Sequence, residues 1–281
     1  MSGHLLALGL GNSLLWSLYL LLTRHVVSGA KLDAWAYTLV QLLAAGLVML
    51  WLGRRAAGSW LELLAPWTIG YAFLRVAING ATAAAIVWLA ITESTLLATV
   101  SVLIGPGSGW CLTRKAPPRR DWPGLALLAI GIVAFALALA PQAWRGLGWL
   151  VASEAMAVAG SWMIAYHPRN RSSDLASRSR FTGEILAGAS LALILVWSVL
   201  GLAGVVCSPW GGGRGGVGRV ELWFWAIMAG LLFRAPGTWL GFWTINRTGV
   251  QTYLIALTAM PFFAIALEAD AGQMGGGEPP R

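Results

Sequence analysis

Charge is what this sequence has least of. Of its 281 residues only 11% are Asp, Glu, Lys or Arg, against 58% hydrophobic, and the mean hydropathy is +0.71. Soluble domains carry roughly 25% charged residues, so a water-soluble fold is excluded. Cysteine is also scarce. Cys111 and Cys207 form no CxxC pair and join no His/Cys cluster, so neither a metal site nor a cofactor is expected. They are expected near opposite membrane faces, too far apart for a disulfide. The three histidines, His4, His25 and His167, are scattered, with no acid at a useful spacing. Ser190, in Ala-Gly-Ala-Ser, matches an intramembrane protease serine only weakly. No P-loop is present, and the GGGRGGVG run follows no strand, so it reads as a flexible loop. The ~10-residue alternating segments of a membrane β-barrel are missing. No basic region precedes the first apolar run, and Arg24 follows it, so that run reads as a retained helix.

What is present is a series of apolar runs near the ~20 residues that span a bilayer. Nine spans are predicted, at about 5–22, 35–52, 67–91, 96–112, 124–140, 147–166, 185–206, 222–245 and 250–267. The fold class is therefore all-α integral membrane. Between the runs lie a short amphipathic link at 60–66 and a Ser- and Arg-rich segment at 167–180 that reads as a mobile link. The tail, 268–281, reads as disordered and unable to span.

The net charge of +8 raises nucleic acid as a partner, but the basic residues fall between apolar runs, as cytoplasmic loops require. The expected partner is the lipid bilayer. With the N-terminus cytoplasmic, the inner side holds Arg54, Arg55, Arg114, Lys115, Arg119, Arg120, Arg169, Arg171, Arg178, Arg180 and Arg247. The outer side holds Arg24, Lys31, Arg145, Arg214 and Arg219. The positive-inside rule favours that orientation.

Three ionisable residues fall within predicted spans, where each costs roughly 2.5–3.5 kcal/mol on insertion scales. Arg75 and Arg234 lie roughly 12 and 16 Å from the predicted inner end, at 1.5 Å per residue. They are candidates to face a central cavity and bind an anionic group, or else to snorkel or pair with helix carbonyls. Glu154 is a candidate proton-coupling carboxylate, or a structural partner for an arginine.

One stretch occurs twice in outline. WLAITESTLLATVSVLIGP (88–106) and WTINRTGVQTYLIALTAMP (243–261) each run from Trp through a short polar knuckle to Pro, 155 residues apart. Internal repeats in membrane chains point to transporters built from two related halves. Each half also has a small-residue helix containing Trp, Gly11-Asn-Ser-Leu-Leu-Trp16 and Gly160-Ser-Trp162, and the first closes with Gly124 and Gly131.

This arrangement resembles the EamA domains of the drug/metabolite transporter superfamily. The resemblance covers residues 5 to about 267 and implies two five-helix repeats, 1–141 and 142–281. It implies ten helices, whereas nine are read here, the tenth being absent. An acidic residue that the family places late in its fourth and ninth helices is replaced by Thr113-Arg114-Lys115 in one half and shifted to Glu268 in the other. The implied activity is ion-coupled secondary transport, with export of small metabolites or amphipathic compounds by alternating access across the cell inner or plasma membrane. The implied cavity residues are Trp16, Tyr19, Asn79, Trp162, Trp243 and Tyr253, beside Arg75 and Arg234, with Pro106 and Pro261 as hinges. A homodimer is a possible assembly. The alternatives are a truncated, scaffold-like remnant of such a transporter and an integral-membrane transferase.

Overall fold

The computed structural model describes residues 3–29, 32–56, 65–114, 116–171, 174–203 and 220–274. Among them the regular elements are helices: α1 (Gly3–Arg24), α2 (Ala34–Leu52), α3 (Pro66–Ile86), α4 (Ile91–Ala98), α5 (Val100–Thr113), α6 (Trp122–Leu137), α7 (Ala143–Tyr166), α8 (Leu175–Leu202), α9 (Val220–Ala229), α10 (Ala235–Thr248), α11 (Val250–Leu257) and α12 (Met260–Met274). A π-helical turn, Gly230–Arg234, joins α9 to α10. Among the described residues seven helical stretches are long and apolar enough to cross a bilayer: α2, α3, the α4–α5 pair, α6 with the 3-10 turn Arg119–Asp121 before it, α7, α8 and the α11–α12 pair.

These stretches fit a multi-pass membrane protein, and α6 gives the physical reason. None of its residues is buried, and Leu127, Ile130 and Leu137 are 67–72% exposed. In water each would forfeit the ~1.5–3 kcal/mol that burying such a side chain gains. In hydrocarbon the same surface costs nothing, so a helix with no protein-facing stripe can persist.

The helix ends follow local chemistry. Asp33 and Asp174 cap α2 and α8, accepting from the amides of Ala36 and Ser177, each at 2.7 Å. Pro66 opens α3 where no backbone donor is needed. One residue, Gly249, separates α10 from α11, and its φ of 81° is open to glycine without penalty.

The polar knuckles are not turns of equivalent type. Thr92–Thr95 belong to α4, and the α3–α4 connection lies before them, at Val87–Ala90. Asn246–Thr248 instead end α10. The boundaries of α4 and α11 coincide under a shift of 159 residues, which carries Ile91–Ala98 onto Val250–Leu257. That is four more than the Trp and Pro landmarks indicate. The interruptions that follow match closely. Thr99 (φ −61°, ψ −10°) and Thr258 (φ −64°, ψ −10°) each turn a hydroxyl back to a carbonyl three residues earlier, Leu96 O at 2.5 Å and Ile255 O at 2.6 Å. Such back-bonding bends helices. Pro106 lies within α5, and Pro261 is the second residue of α12, so the threonines rather than the prolines mark the breaks.

α2 packs along α8, α3 along α7, and α1 against both the α9–α10 run and the α11–α12 pair. The α2–α8 crossing is close because glycines face backbone. A Cβ on Gly46 would stand 2.4 Å from the Ala187 amide nitrogen, and one on Gly183 2.5 Å from that of Leu50. Gly183→Val should therefore lower stability by about 3 kcal/mol, the upper end of overpacking costs, because backbone rather than a side chain must move. An unfolding midpoint within a degree of the wild type's would sink this account of the crossing.

Two expectations need correction. The segment at 167–180 is not a mobile link where it is described: Pro168–Arg171 form a 3-10 turn and α8 begins at Leu175. Two of its arginines converge on Glu184, whose side chain has no exposed surface. Arg169 pairs with it at 2.6 Å, and Arg180 donates to it at 2.9 Å. Second, α12 continues to Met274, well into the expected tail. Most of the link at 60–66, the glycine-rich loop and Cys207 lie outside the described residues.

Candidate functional site

The middle of the helix bundle is polar and basic. Arg75 lies near the middle of α3, Glu154 at the middle of α7, and Arg234 at the middle of the 220–248 run. Arg234 is held by the π turn, a local widening that often accompanies functional positions. Gly230 opens that turn, and a Cβ there would meet the Gln41 carbonyl of α2 at 2.5 Å.

Arg234 is fully buried, 0% exposed. Its guanidinium lies over two α1 rings, Trp16 at 4.7 Å and Tyr19 at 4.5 Å. Its Nη2 donates to Asn79 Oδ1 and, at 3.4 Å, to the Tyr19 hydroxyl, which also accepts from Gln41 Nε2 at 2.9 Å. Arg75 is half-buried. Its Nη2 donates to Thr238 Oγ1 at 3.3 Å, and its guanidinium lies 5.9 Å from the Phe242 ring.

These contacts are reciprocal. The shift of 159 residues that superposes α4 on α11 carries Arg75 onto Arg234 and Asn79 onto Thr238. Each arginine thus reaches across to the residue four places beyond its counterpart. Asn79 also donates to the Arg75 carbonyl at 2.5 Å, one helical turn back, so its amide is fixed from both sides.

No carboxylate lies within 4.0 Å of either guanidinium among the described residues. Arg234 Nε and Nη1 and Arg75 Nε are buried without a hydrogen-bond acceptor. Glu154, half-buried, instead meets the Ser101 side chain of α5. Tyr253 on α11 accepts from Asn12 Nδ2 at 3.5 Å and lies within electrostatic reach of both Arg75 and Glu154.

The structure therefore brings Trp16, Tyr19, Arg75, Asn79, Arg234 and Tyr253 into one neighbourhood, with Glu154 at its edge. Trp162 and Trp243 stand elsewhere. Trp162 donates to Ser108 Oγ at 3.0 Å and stacks on Tyr166, at the end of α7. Trp243 stacks on Trp239 beneath Arg247, near the end of α10. Sequence reasoning passed over Asn12, Gln41 and Thr238 as site members. Thr238 had a signal, since it follows Arg234 by the same four residues that separate Asn79 from Arg75.

The two ends of the bundle are fastened differently. At one end Glu268 of α12 accepts from the Ile91 amide at 3.0 Å, the Thr92 amide at 3.2 Å and the Thr92 hydroxyl, and pairs with Arg24 of α1 at 3.4 Å. A carboxylate on a helix N-terminus is favoured by the amides and by the helix dipole. At the other end His167 accepts from the Arg169 amide through Nδ1 at 3.3 Å. Its Nε2 must then carry the proton and donate to Thr68 Oγ1 at 3.1 Å.

Burial, with the Arg169 charge second, holds the His167 pKa below its ordinary value. The folded state thus favours neutral imidazole. The stability this contributes is complete above the ordinary pKa, about 6.5, and is lost as pH falls through the lower folded value. Between pH 7 and pH 5 the unfolding midpoint should fall more steeply in the wild type than in His167→Gln. Parallel slopes would refute the assignment.

No protein-family model matches this sequence, and no curated protein matches it.

Proposed function

We propose that the protein is a secondary transporter that carries a small molecule through the centre of the bundle by alternating access. The observation that carries the reading is the pair of arginines at mid-span without a carboxylate partner. Membrane helices bear such residues at a cost, and they mark cargo or ion pathways. A purely structural role would call for acceptors on the guanidinium nitrogens that are left without one.

The packing supports an origin in two inverted units related to EamA domains. Exchanging the halves maps the α3–α7 contact onto that between α1 and the α9–α10 run, and leaves α2–α8 on itself. The cargo is then a small metabolite or amphipathic compound, with ion coupling through Glu154 and protons as the favoured ion. The arginine-rich loops, at the end where α2, α5, α7 and α10 terminate, favour a cytoplasmic N-terminus, and export is the direction that the EamA resemblance implies. The scattered histidines argue against a transferase.

The test uses full-length protein in liposomes loaded with a pH-sensitive dye. Outside, gradients are imposed of amino acids, organic acids, nucleosides and lipophilic cations. At least one class should drive proton movement that Arg75→Gln abolishes. A signal equal to that of empty vesicles across the whole panel would overturn the proposal.

A further inference from the structure

We infer that the cargo is a small organic anion, held through a carboxylate- or phosphate-type oxyanion between Arg234 and Arg75. The inference rests on the transporter reading above and names its substrate class.

Three observations lead to it. First, the arginines are satisfied only in part. Asn79, Tyr19 and Thr238 occupy one nitrogen of each guanidinium, Nη2, and leave Arg234 Nε and Nη1 and Arg75 Nε with no acceptor. Arg234 is 0% exposed, so bulk solvent does not reach these donors. Buried guanidinium donors call for charged acceptors, and charge-assisted bonds to carboxylate or phosphate are the strong ones.

Second, the charge count is unbalanced. Among the described residues Glu154 is the acid at mid-span, and it engages Ser101 rather than either arginine. No other described acid pairs with either arginine: Asp33, Asp174, Glu93 and Glu268 accept from amides at helix starts, and Glu184 binds Arg169 and Arg180. Two cations face at most one anion. A cationic cargo would worsen that imbalance and a neutral one would leave it, whereas an anion reduces it.

Third, the surroundings are aromatic. Trp16 and Tyr19 lie against the Arg234 guanidinium, and Phe242 faces Arg75. These faces exclude water, which strengthens the charged contact, and they suit an apolar body attached to the oxyanion. The reciprocal Asn79 and Thr238 contacts serve as positioning bonds that hold each guanidinium from the opposite half.

The experiment measures the unfolding midpoint of the purified full chain with benzoate, phenylphosphate or succinate, each against a neutral analogue: benzamide, benzyl alcohol and succinamide. At least one anion should raise the midpoint saturably by 3 °C or more, with its neutral analogue inert. Arg75→Gln, at a half-buried position, should remove the shift. Arg234→Lys, which keeps the charge, should weaken the apparent affinity about tenfold while keeping the preference for the anion. Equal shifts from neutral analogues, a shift that survives Arg75→Gln, or no shift with any of the three anions would each overturn the inference. The transporter reading is tested separately in liposomes. Arg75-dependent flux of a neutral or cationic compound would retain transport and reject the anion. Anion binding with no flux of the bound anion would retain the anion site and reject transport.

Discussion

Arg234→Met is expected to abolish flux, by at least 100-fold, while leaving the stability of the protein within about 1 kcal/mol of the wild type's, because an apolar residue of similar volume often replaces a buried charge at no net loss. Removing the guanidinium relieves an insertion cost of roughly 2.5–3.5 kcal/mol. It forfeits two cation–π contacts of about 0.5–2 kcal/mol each, made with Trp16 and Tyr19. It also takes away the partner of Asn79 Oδ1, at about 1–3 kcal/mol for a buried acceptor left unmade. The opposing contributions are of similar size. An arginine kept for architecture would behave differently, and its loss should cost about 3–5 kcal/mol. Unfolding midpoints and flux, measured on the same preparation, separate the two. A large drop in midpoint would identify Arg234 as part of the scaffold.

Glu184→Gln should give the largest loss of stability, about 3–5 kcal/mol, the range for breaking a buried ion pair by removing one partner. Glu184 has no exposed side-chain surface, and Arg169 and Arg180 are themselves only 20% and 12% exposed. Arg180 also donates to the Ala56 carbonyl at 2.6 Å, beyond the end of α2. Neutralising the carboxylate would leave two guanidinium groups facing each other across a glutamine. It would also loosen the α7–α8 connection from both helices it bridges. The variant should retain its helical content and unfold at a markedly lower temperature. A shift worth less than about 1 kcal/mol, the scale of exposed pairs, would show that solvent screens this cluster.

Several parts of this architecture were legible in the sequence. Runs such as 35–52 and 222–245 place α2 and the α9–α10 stretch to within a few residues, because length and apolarity decide them. Arg75, Glu154 and Arg234 were legible because ionisable groups are conspicuous in apolar helices. What depends on contact across the chain was not. Glu184 stands just before a predicted span with Arg180 as a local partner one helical turn back, but nothing local shows that Arg169 folds back onto it as well. Gln41 and Asn12 are polar residues within apolar runs, and their partners, Tyr19 and Tyr253, come from other helices. A shift of 155 residues aligns the Trp and Pro landmarks whereas α4 and α11 align under 159, because Trp88 and Trp243 stand at different distances from the helix starts that follow them. The threonine bends, Thr99 and Thr258, were the better landmarks.

The carboxylate of Glu268 also sets a schedule for the making of this protein. The amide groups of Ile91 and Thr92 receive their acceptor from a residue 177 and 176 positions later in the chain. At synthesis rates of about 5–20 residues per second, that interval is roughly 9–35 s. Throughout it the start of α4 must borrow acceptors from water, headgroups or the insertion machinery. A ribosome that stalls after α8 would leave this helix end unsettled at the membrane boundary, a form that quality-control proteases could recognise.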